Sequence, residues 1–521
     1  MQAMTSTHQK QAPARCRACA APLVGRSPHD GGLAGTFKHP RGEAATARCL
    51  RWAVAGAALA ALAVLGGCAS FSTDGGFATV EQTAQSRLGK DLRWARTDDD
   101  RAWVDQRVAT LLAQPLTVDG AVQLALLNKH GLQAVFFELG IREADLVQAG
   151  TLPNPGFSLA RLTRGDEVEL ERGLHFNLAR LLAMPLLQDV AAKQFAQAQG
   201  VAALSVLSLA ADTRKAWVLA VAAEESHRYS HQVTQAAEAS AELARRMAQV
   251  GNFNKLQQAR EQAFYADAAL NLARAQQAQR ATRERLTRLL GLWGSQTGFQ
   301  LPRLPDLPTT PLDLPDIERT ALAQRLDVQA ARLATEQTAK ALGLSQATRF
   351  VNVLELGYLN KRSHLDPTQR GWEIGFELPL FDWGTSRMAR AESVYLQVVE
   401  RAAQTAIDAR SELRESCSAY RSAWDIARHQ RDQIVPLRQR IAEENLLRYN
   451  GMLIGVFELL ADARLPITSV NGAIDALRDF WLAQADLDLA MVGKPGQAAA
   501  NALSAQSGSA AGPADPGGAG R

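Results

Sequence analysis

The sequence predicts a mainly α-helical protein with a small β part, in which one helix–hairpin–long helical hairpin unit occurs twice. The second half of the 521-residue chain repeats motifs of the first half in the same order. Each half contains long runs of good helix formers without glycine or proline, such as 201–250 and 255–290. Each half also contains two short segments of alternating polar and apolar residues, which is the pattern of half-buried strands.

A basic, apolar leader precedes the repeated part. Residues 1–67 hold eight basic and two acidic side chains, a balance of 8 − 2 = +6, so the rest of the chain carries −2 of the total of +4. After Arg51 comes an apolar run of about fifteen residues, which is short for a membrane span and typical of a secretory signal. We expect translation to start near residues 45–51. The nearly neutral remainder implies no nucleic-acid partner.

The apolar run ends in Leu65-Gly66-Gly67-Cys68, which resembles a bacterial lipobox. This resemblance implies cleavage before Cys68 and attachment of lipid to its thiol. Ala69, in place of aspartate, implies sorting to the outer membrane. The alternative is a plain signal peptide, or a buried helix that happens to end in cysteine. Only Cys68 and Cys417 remain after cleavage, so we expect no structural disulfide.

The repeat sets the expected organisation of the chain. Leu132 corresponds to Val328 at a spacing of 328 − 132 = 196, and Gly251 corresponds to Gly451 at 451 − 251 = 200. We expect a leader (1–67), an N-terminal anchor segment (68–115), a first repeat (116–300), a second repeat (301–495) and a tail (496–521). The tail is rich in alanine, glycine, serine and proline, a composition typical of disorder.

Both copies are expected to contain the same elements. The predicted first helices are 117–149 and 315–347, the strands are Pro155–Thr163, Gly173–Leu181, Phe350–Leu359 and Trp372–Phe381, and the polar loops between them are 164–169 and 360–369. A helix of roughly 65 residues follows in copy one, about 100 Å long at ~1.5 Å per residue. It breaks at Gly251, and Lys255–Leu290 continues.

The second copy is expected to be helical from Ser386 to Asn450, to break at Gly451 and to resume as far as Met491. Pro436 and Pro466 should kink these helices or open them locally, because proline lacks the amide hydrogen.

These lengths indicate an oligomeric tube. Strands of about ten residues can cross a bilayer when tilted, as they do in membrane β-barrels. Four strands cannot close a barrel, since about eight is the lower limit, and an open edge in lipid leaves amides unpaired. The strands must therefore pair with those of other subunits, and three copies give twelve strands. The long helices suit a coiled-coil wall.

Four stretches carry a family resemblance: Leu116–Leu126, Ala144–Pro155, Leu378–Gly384 and Arg448–Leu460. They resemble the TolC-like outer membrane efflux proteins over roughly residues 116–495. The resemblance implies a homotrimer with a twelve-stranded β-barrel in the outer membrane and an α-helical barrel reaching into the periplasm. It also implies a periplasmic membrane-fusion adaptor, an inner-membrane efflux pump, and passive passage of drugs, metal ions or other small molecules.

The resemblance places the periplasmic tips at the breaks between the long helices. The tip and adaptor-docking residues it implies are Gly251, Asn252, Gly451, Leu453, Ile454, Gly455 and Val456. The alternative is that these residues only form tight turns, with glycine supplying a positive φ. Glu458 and Asp462 are the nearest candidates for an acidic gate that selects cations, against a solvated helix face.

Three aromatic residues, Trp372, Phe381 and Trp383, are candidates for an interfacial girdle, against ordinary packing. Pro379 is expected to set a bend between barrel and tube.

Glu224, His227 and His231 share a helix face, and His429 could lie at a similar height on the other hairpin, so they are weak candidates for a metal site. Such residues on a long helix are more often simply exposed, and we predict no metal and no cofactor. No catalytic motif is present, so we expect no enzyme. The remaining alternative function is a structural or adaptor coiled-coil lipoprotein without a pore.

Overall fold

The computed structural model describes residues 70–312, 316–348, 353–363, 366–377 and 380–493. The expected leader, Cys68, the pair Leu378-Pro379 and the C-terminal tail lie outside the described residues.

Among the described residues, the first half runs through six α-helices and two strands. These are α1 (Phe77–Leu88), α2 (Asp98–Leu112), α3 (Val118–Asn128), α4 (His130–Ala149), β1 (Gly156–Arg164), β2 (Glu167–Asn177), α5 (Leu178–Gln249) and α6 (Lys255–Leu290). The second half contains α7 (Ile317–Gln324), α8 (Leu326–Ala347), β3 (Leu354–Ser363), β4 (Gln369–Phe376), α9 (Thr385–His429), α10 (Val435–Asn450), α11 (Val456–Asp462) and α12 (Leu465–Val492). The predicted class, mainly helical with a small β part, is confirmed.

The prediction of one first helix in each copy is wrong, because the structure has two helices there. Lys129 separates α3 from α4, and Arg325 separates α7 from α8, both in extended conformation. In copy one, the break lets the Asn128 side chain donate to Leu290 O at 3.0 Å and to Gly291 O at 2.9 Å. These bonds satisfy carbonyls at the C-terminal end of α6 that have no partner within the helix.

The second strand and the loop before it also differ from expectation. The predicted polar loop 164–169 is a two-residue turn, in which Gly165 has φ 59°. Because glycine adopts positive φ without steric cost, the two strands reverse at once and β2 starts at Glu167. Residues 178–181, predicted as strand, are the first turn of α5, where the Asn177 side chain accepts from Arg180 N at 2.8 Å.

The strands form one antiparallel sheet in the order β1-β2-β3-β4. The β2–β3 pairing joins the two halves of the chain, for example at Leu174 and Tyr358. Among the described residues, β1 and β4 each have one edge without a partner strand.

The helices after the sheet are long. Helix α5 has 72 residues, which is about 108 Å at ~1.5 Å per residue. Helix α6 has the bounds that the sequence predicts. A π-helical turn, Gln430–Ile434, precedes Pro436 and provides the local opening expected there. A short turn at Ala463 and Arg464 precedes Pro466.

The apolar core lies where the short helices pack on the middle of the long ones. Helices α1, α3 and α4 pack on α5 from Ala198 to Ala210, and α3 with the end of α6 covers the stretch around Trp217. The Trp217 indole donates to Leu116 O at 2.7 Å. A third cluster joins α9 and α12 around Tyr420 and Phe480. Among the described helices, none is both long and apolar enough to cross a membrane.

Candidate functional site

The register of the sheet gives it two chemically different faces. Cross-strand partners lie on the same face, so Phe157, Leu174, Tyr358 and Trp372 form one row. The neighbouring rows on that face add Phe176, Leu356, Ile374, Leu354 and Phe376. Most of these side chains are exposed, and Trp372 is 74% exposed. An exposed apolar surface of this extent marks a site of contact with a membrane or a partner.

The opposite face of the sheet is polar. The glutamates of the strands all lie on it: Glu167, Glu169, Glu171, Glu355 and Glu373. Lys361 Nζ lies 3.4 Å from Glu171 Oε2 and 3.7 Å from Glu169 Oε1. The charges on this face are therefore partly paired across strands.

The three expected girdle residues are all exposed. Trp372 lies on the apolar face and contacts the edge of the Tyr358 ring, with 5.1 Å between ring centroids. Phe381 and Trp383 follow the last strand, in the segment that leads to α9. Their role as a girdle stays a prediction.

The first helix break is a tight turn between α5 and α6. Gly251 has φ 84°, and Asn252 N donates to Met247 O at 2.8 Å. Asn254 and Gln257 then form a reciprocal capping box at the start of α6. Here glycine supplies the positive φ that the turn requires.

The second break uses a different residue for the same geometry. Leu453 N donates to Arg448 O at 2.8 Å, as Asn252 does in the first break, but the residue before it, Met452, takes the positive φ of 57°. Gly451 has φ −80°, so it does not supply the positive φ that the tight-turn alternative assigns to it. Met452 is 93% and Leu453 77% exposed, and Gly455 is the N-cap of α11.

The two breaks lie side by side. The rings of Phe253 and Phe457 meet edge to face with centroids 6.4 Å apart, and Arg260 lies over the Phe457 ring at 5.7 Å. Ile454 and Val456 are half-buried beside this contact. We call the residues 250–256 and 451–458 the tip.

A buried ion pair ties the two helical hairpins together near the tip. Glu261 of α6 is fully buried and lies 2.6 Å from Arg464, which precedes α12. Glu261 also accepts from Ser240 Oγ at 2.7 Å, and Arg464 lies over the Phe264 ring at 4.2 Å. The tie therefore links α5, α6 and the turn before α12.

The candidate acidic gate residues occupy one side of α11. Glu458 is exposed, whereas Asp462 Oδ2 is half-buried and accepts from Asn445 Nδ2 at 2.6 Å. A ring of three carboxylates depends on other copies of the chain and stays a prediction.

The weak metal candidates lie along the α5 surface. Glu224 and His227 are half-buried, while His231 and His429 are exposed. Among the described residues, no group of three or more histidine, cysteine, aspartate or glutamate side chains is arranged to hold a metal ion. Cys417 is a free, half-buried thiol.

Three residues in or near the tip have no signal in the sequence. Met452 takes its role from backbone geometry alone, and Glu261 and Arg464 are 464 − 261 = 203 residues apart. Phe253 and Phe457 carry a weak signal, because each is an aromatic residue that closely follows a helix break.

Comparison with known proteins identifies the fold. The sequence matches no protein-family model and no curated protein. The structure matches the CmeC outer membrane channel of Campylobacter jejuni at 16% identity, covering 82% of this chain and 95% of that one, with a TM-score of 0.61. It matches the outer membrane protein VceC of Vibrio cholerae at 16% identity, covering 77% and 98%, with a TM-score of 0.56. It also matches the open state of the MtrE outer membrane channel of Neisseria gonorrhoeae at 17% identity, covering 74% and 88%, with a TM-score of 0.55.

Proposed function

We propose that this chain, which has the fold of the TolC-like outer membrane channels, assembles as a homotrimer into a passive exit duct of the outer membrane. The proteins that share this fold are channels and not enzymes, which agrees with the lack of a catalytic motif in the sequence.

The observation that carries the proposal is the sheet. One face is apolar and exposed, the other is polar, and β1 and β4 each leave an edge unpaired among the described residues. Three such sheets joined edge to edge would give a closed barrel of twelve strands with the apolar face toward lipid and the glutamates toward the lumen. A coiled-coil lipoprotein without a pore would leave this apolar face in water.

The remaining elements complete the duct. The hairpins α5–α6 and α9–α12 supply the wall of an α-helical barrel that reaches into the periplasm, and the tip forms its lower end. We infer that the exposed Met452 and Leu453, with Val250 and Leu256 of the first break, meet a periplasmic adaptor linked to an inner-membrane pump. Drugs, metal ions or other small molecules would pass by diffusion.

We also infer that the chain is two copies of one unit, 116–300 and 301–495, behind a leader of 67 residues and an anchor segment 68–115. Lipid on Cys68 would hold the protein in the outer membrane. Mass spectrometry of the mature N-terminal peptide tests this, with the Cys417 peptide as an internal control that stays unmodified. An N-terminal peptide without lipid mass would contradict the anchor.

Two neighbouring residues of β4 provide a sharp test of the barrel. Ile374 lies on the apolar face and Glu373 on the polar face. An arginine facing lipid near the bilayer centre costs about 2–4 kcal/mol, whereas a lumen substitution mainly changes selectivity. We expect Ile374→Arg to abolish trimers in the outer membrane. We expect Glu373→Arg to keep the trimer and to shift ion selectivity toward anions.

The measurements are the mass of the detergent-solubilised particle and conductance in planar bilayers. A trimer-sized particle with discrete channels supports the duct. The duct would be contradicted if the protein were a monomer without conductance and tolerated both substitutions equally. That result would favour the coiled-coil lipoprotein.

A further inference from the structure

The apolar face of the sheet carries an unusual set of charges at one end. Its charged residues are four arginines, Arg161, Arg172, Arg362 and Arg370, with no acidic residue among the strand positions of this face. All four are exposed. Toward α5 and α9 the face is apolar, so the arginines form its boundary on the side of the hairpin turns.

The register makes these arginines neighbours across all four strands. Asn360 is the cross-strand partner of both Arg172 and Arg370. Two residues further along the strands, Leu170 is the partner of both Arg161 and Arg362. Each arginine is thus the diagonal neighbour of the next, in the order Arg161, Arg172, Arg362, Arg370. Diagonal neighbours in an antiparallel sheet lie about 7–8 Å apart, within reach of long side chains.

Within the described part of the chain, none of the four forms an ion pair or a side-chain hydrogen bond. The contrast with the other face is sharp, since Lys361 there lies between two glutamates. Like charges held at diagonal positions repel one another. An anion from outside the chain removes this repulsion and accepts several guanidinium bonds at once.

We propose that Arg161, Arg172, Arg362 and Arg370 bind the phosphate groups of membrane lipids in the leaflet on the hairpin-turn side. The inference rests on the proposed barrel, which turns this face toward lipid. The geometry fits, because the apolar rows meet acyl chains and the arginines begin where lipid headgroups would begin. Arginine suits this role because its planar guanidinium binds phosphate through two parallel bonds.

The position of the charges supports a lipid occupant. Arginine on the lipid face of a barrel is costly at the bilayer centre and nearly free of cost at the interface. The methylene groups of the arginine side chain lie along the apolar surface while the guanidinium reaches the polar layer. A set of diagonally adjacent arginines directly beyond an apolar band therefore matches an anionic headgroup layer.

The test compares two sets of Arg→Gln substitutions in the full-length protein. The test variant carries R161Q, R172Q, R362Q and R370Q. The control carries R274Q, R280Q, R285Q and R440Q, which remove four exposed arginines of α6 and α10 and change the net charge equally. Lipids retained by the detergent-solubilised trimer are counted by native mass spectrometry, with diphosphorylated lipid A or its dephosphorylated form as the probe.

We expect wild-type protein and the control to bind the phosphorylated lipid at least about tenfold more tightly than the test variant, since each basic residue near an anionic surface strengthens binding. Dephosphorylated lipid should bind all three proteins equally. Excess inorganic phosphate should leave the phosphorylated lipid bound, because the apolar rows hold its acyl chains.

Bilayer recordings on the same samples separate the possible failures. If the test variant forms channels and binds the phosphorylated lipid as tightly as the wild type, the lipid site is wrong and the proposed duct stands. Displacement of the lipid by phosphate alone overturns the lipid assignment in favour of a simple anion site. Wild-type protein that forms neither trimers nor channels overturns both the duct and the lipid site, because no lipid-facing surface would then exist.

Discussion

Lys129 and Arg325 hold equivalent places in the two halves of the chain, 325 − 129 = 196 residues apart. Each is the extended residue between two helices. Lys129 Nζ donates to Arg288 O at 2.7 Å, and Arg325 Nη1 donates to Ala490 O at 2.8 Å. Each cation thus caps the C-terminal end of the helix that returns from the tip, where the helix dipole favours positive charge.

The two caps should contribute unequally to stability. The Arg325 side chain is almost fully buried, 2.6 Å from Asp327 and 3.0 Å from Glu412. Arg325→Met removes the buried cation from these two carboxylates and should lower the free energy of unfolding by about 3 kcal/mol. Lys129→Met removes a partly solvated contact and should cost less than about 1 kcal/mol. Urea unfolding followed by circular dichroism measures both, and equal losses would contradict the unequal burial.

Gly251 and Gly451 of the tip should respond differently to alanine. Gly251→Ala puts a side chain at φ 84° and should destabilise the turn by roughly 1–2 kcal/mol. Gly451→Ala should be nearly neutral, because φ is −80° and a Cβ there makes only ordinary contacts. Hydrogen exchange of the amides at 247–257 and 448–458 reports each turn separately. Faster exchange in Gly451→Ala than in Gly251→Ala would show that the positive φ is misplaced.

The buried tie near the tip should matter more than an exposed ion pair on the same hairpin. Glu261→Ala removes one partner of a buried pair, which typically costs about 3–5 kcal/mol. Glu242→Ala removes the exposed pair with Arg245 and should have little effect. The prediction is faster hydrogen exchange at 255–266 and 459–470 in Glu261→Ala alone.

A double variant separates the ion pair from simple packing. Replacing Glu261 and Arg464 together by methionine removes both charges, so it should recover most of the protection lost in Glu261→Ala. No recovery would mean that Ser240 or Phe264, and not the charge pair, holds the hairpins together.

A buried carboxylate holds Ser72, in the segment that follows the expected lipid anchor. Glu143 of α4 is buried and accepts from both Ser72 N and Ser72 Oγ, at 2.6 and 2.5 Å. Glu143→Ala should release residues 70–73, seen as cleavage there in limited proteolysis, whereas Arg96 and Gln199 still hold the carbonyls of Asp74 and Gly76. Glu138→Ala is the matched control, since Glu138 forms a half-buried ion pair with Arg142 of the same helix. Equal cleavage of the two variants would refute an anchoring role for Glu143.

The predictions from the sequence were most accurate where the structural signals are local. Helix α6 has its predicted bounds because the break at 251–254 and Gly291 act on their immediate neighbours. The strands exist where alternation predicts them, but β2 starts six residues before the predicted Gly173. Polar residues around Gly165 look like a long loop, whereas one glycine at positive φ is enough to reverse the chain.

The sequence by itself determined the class of the protein: two similar halves, each with a pair of strands and two long helices, because periodicity and helix-breaking residues act over a few positions. Only the tertiary structure decided that Lys129 and Arg325 interrupt helices, that Met452 and not Gly451 takes the positive φ, and that Glu261 meets Arg464. It also brought four arginines from four strands together as diagonal neighbours. These features depend on contacts and register between residues far apart in the chain, and no local pattern carries that information.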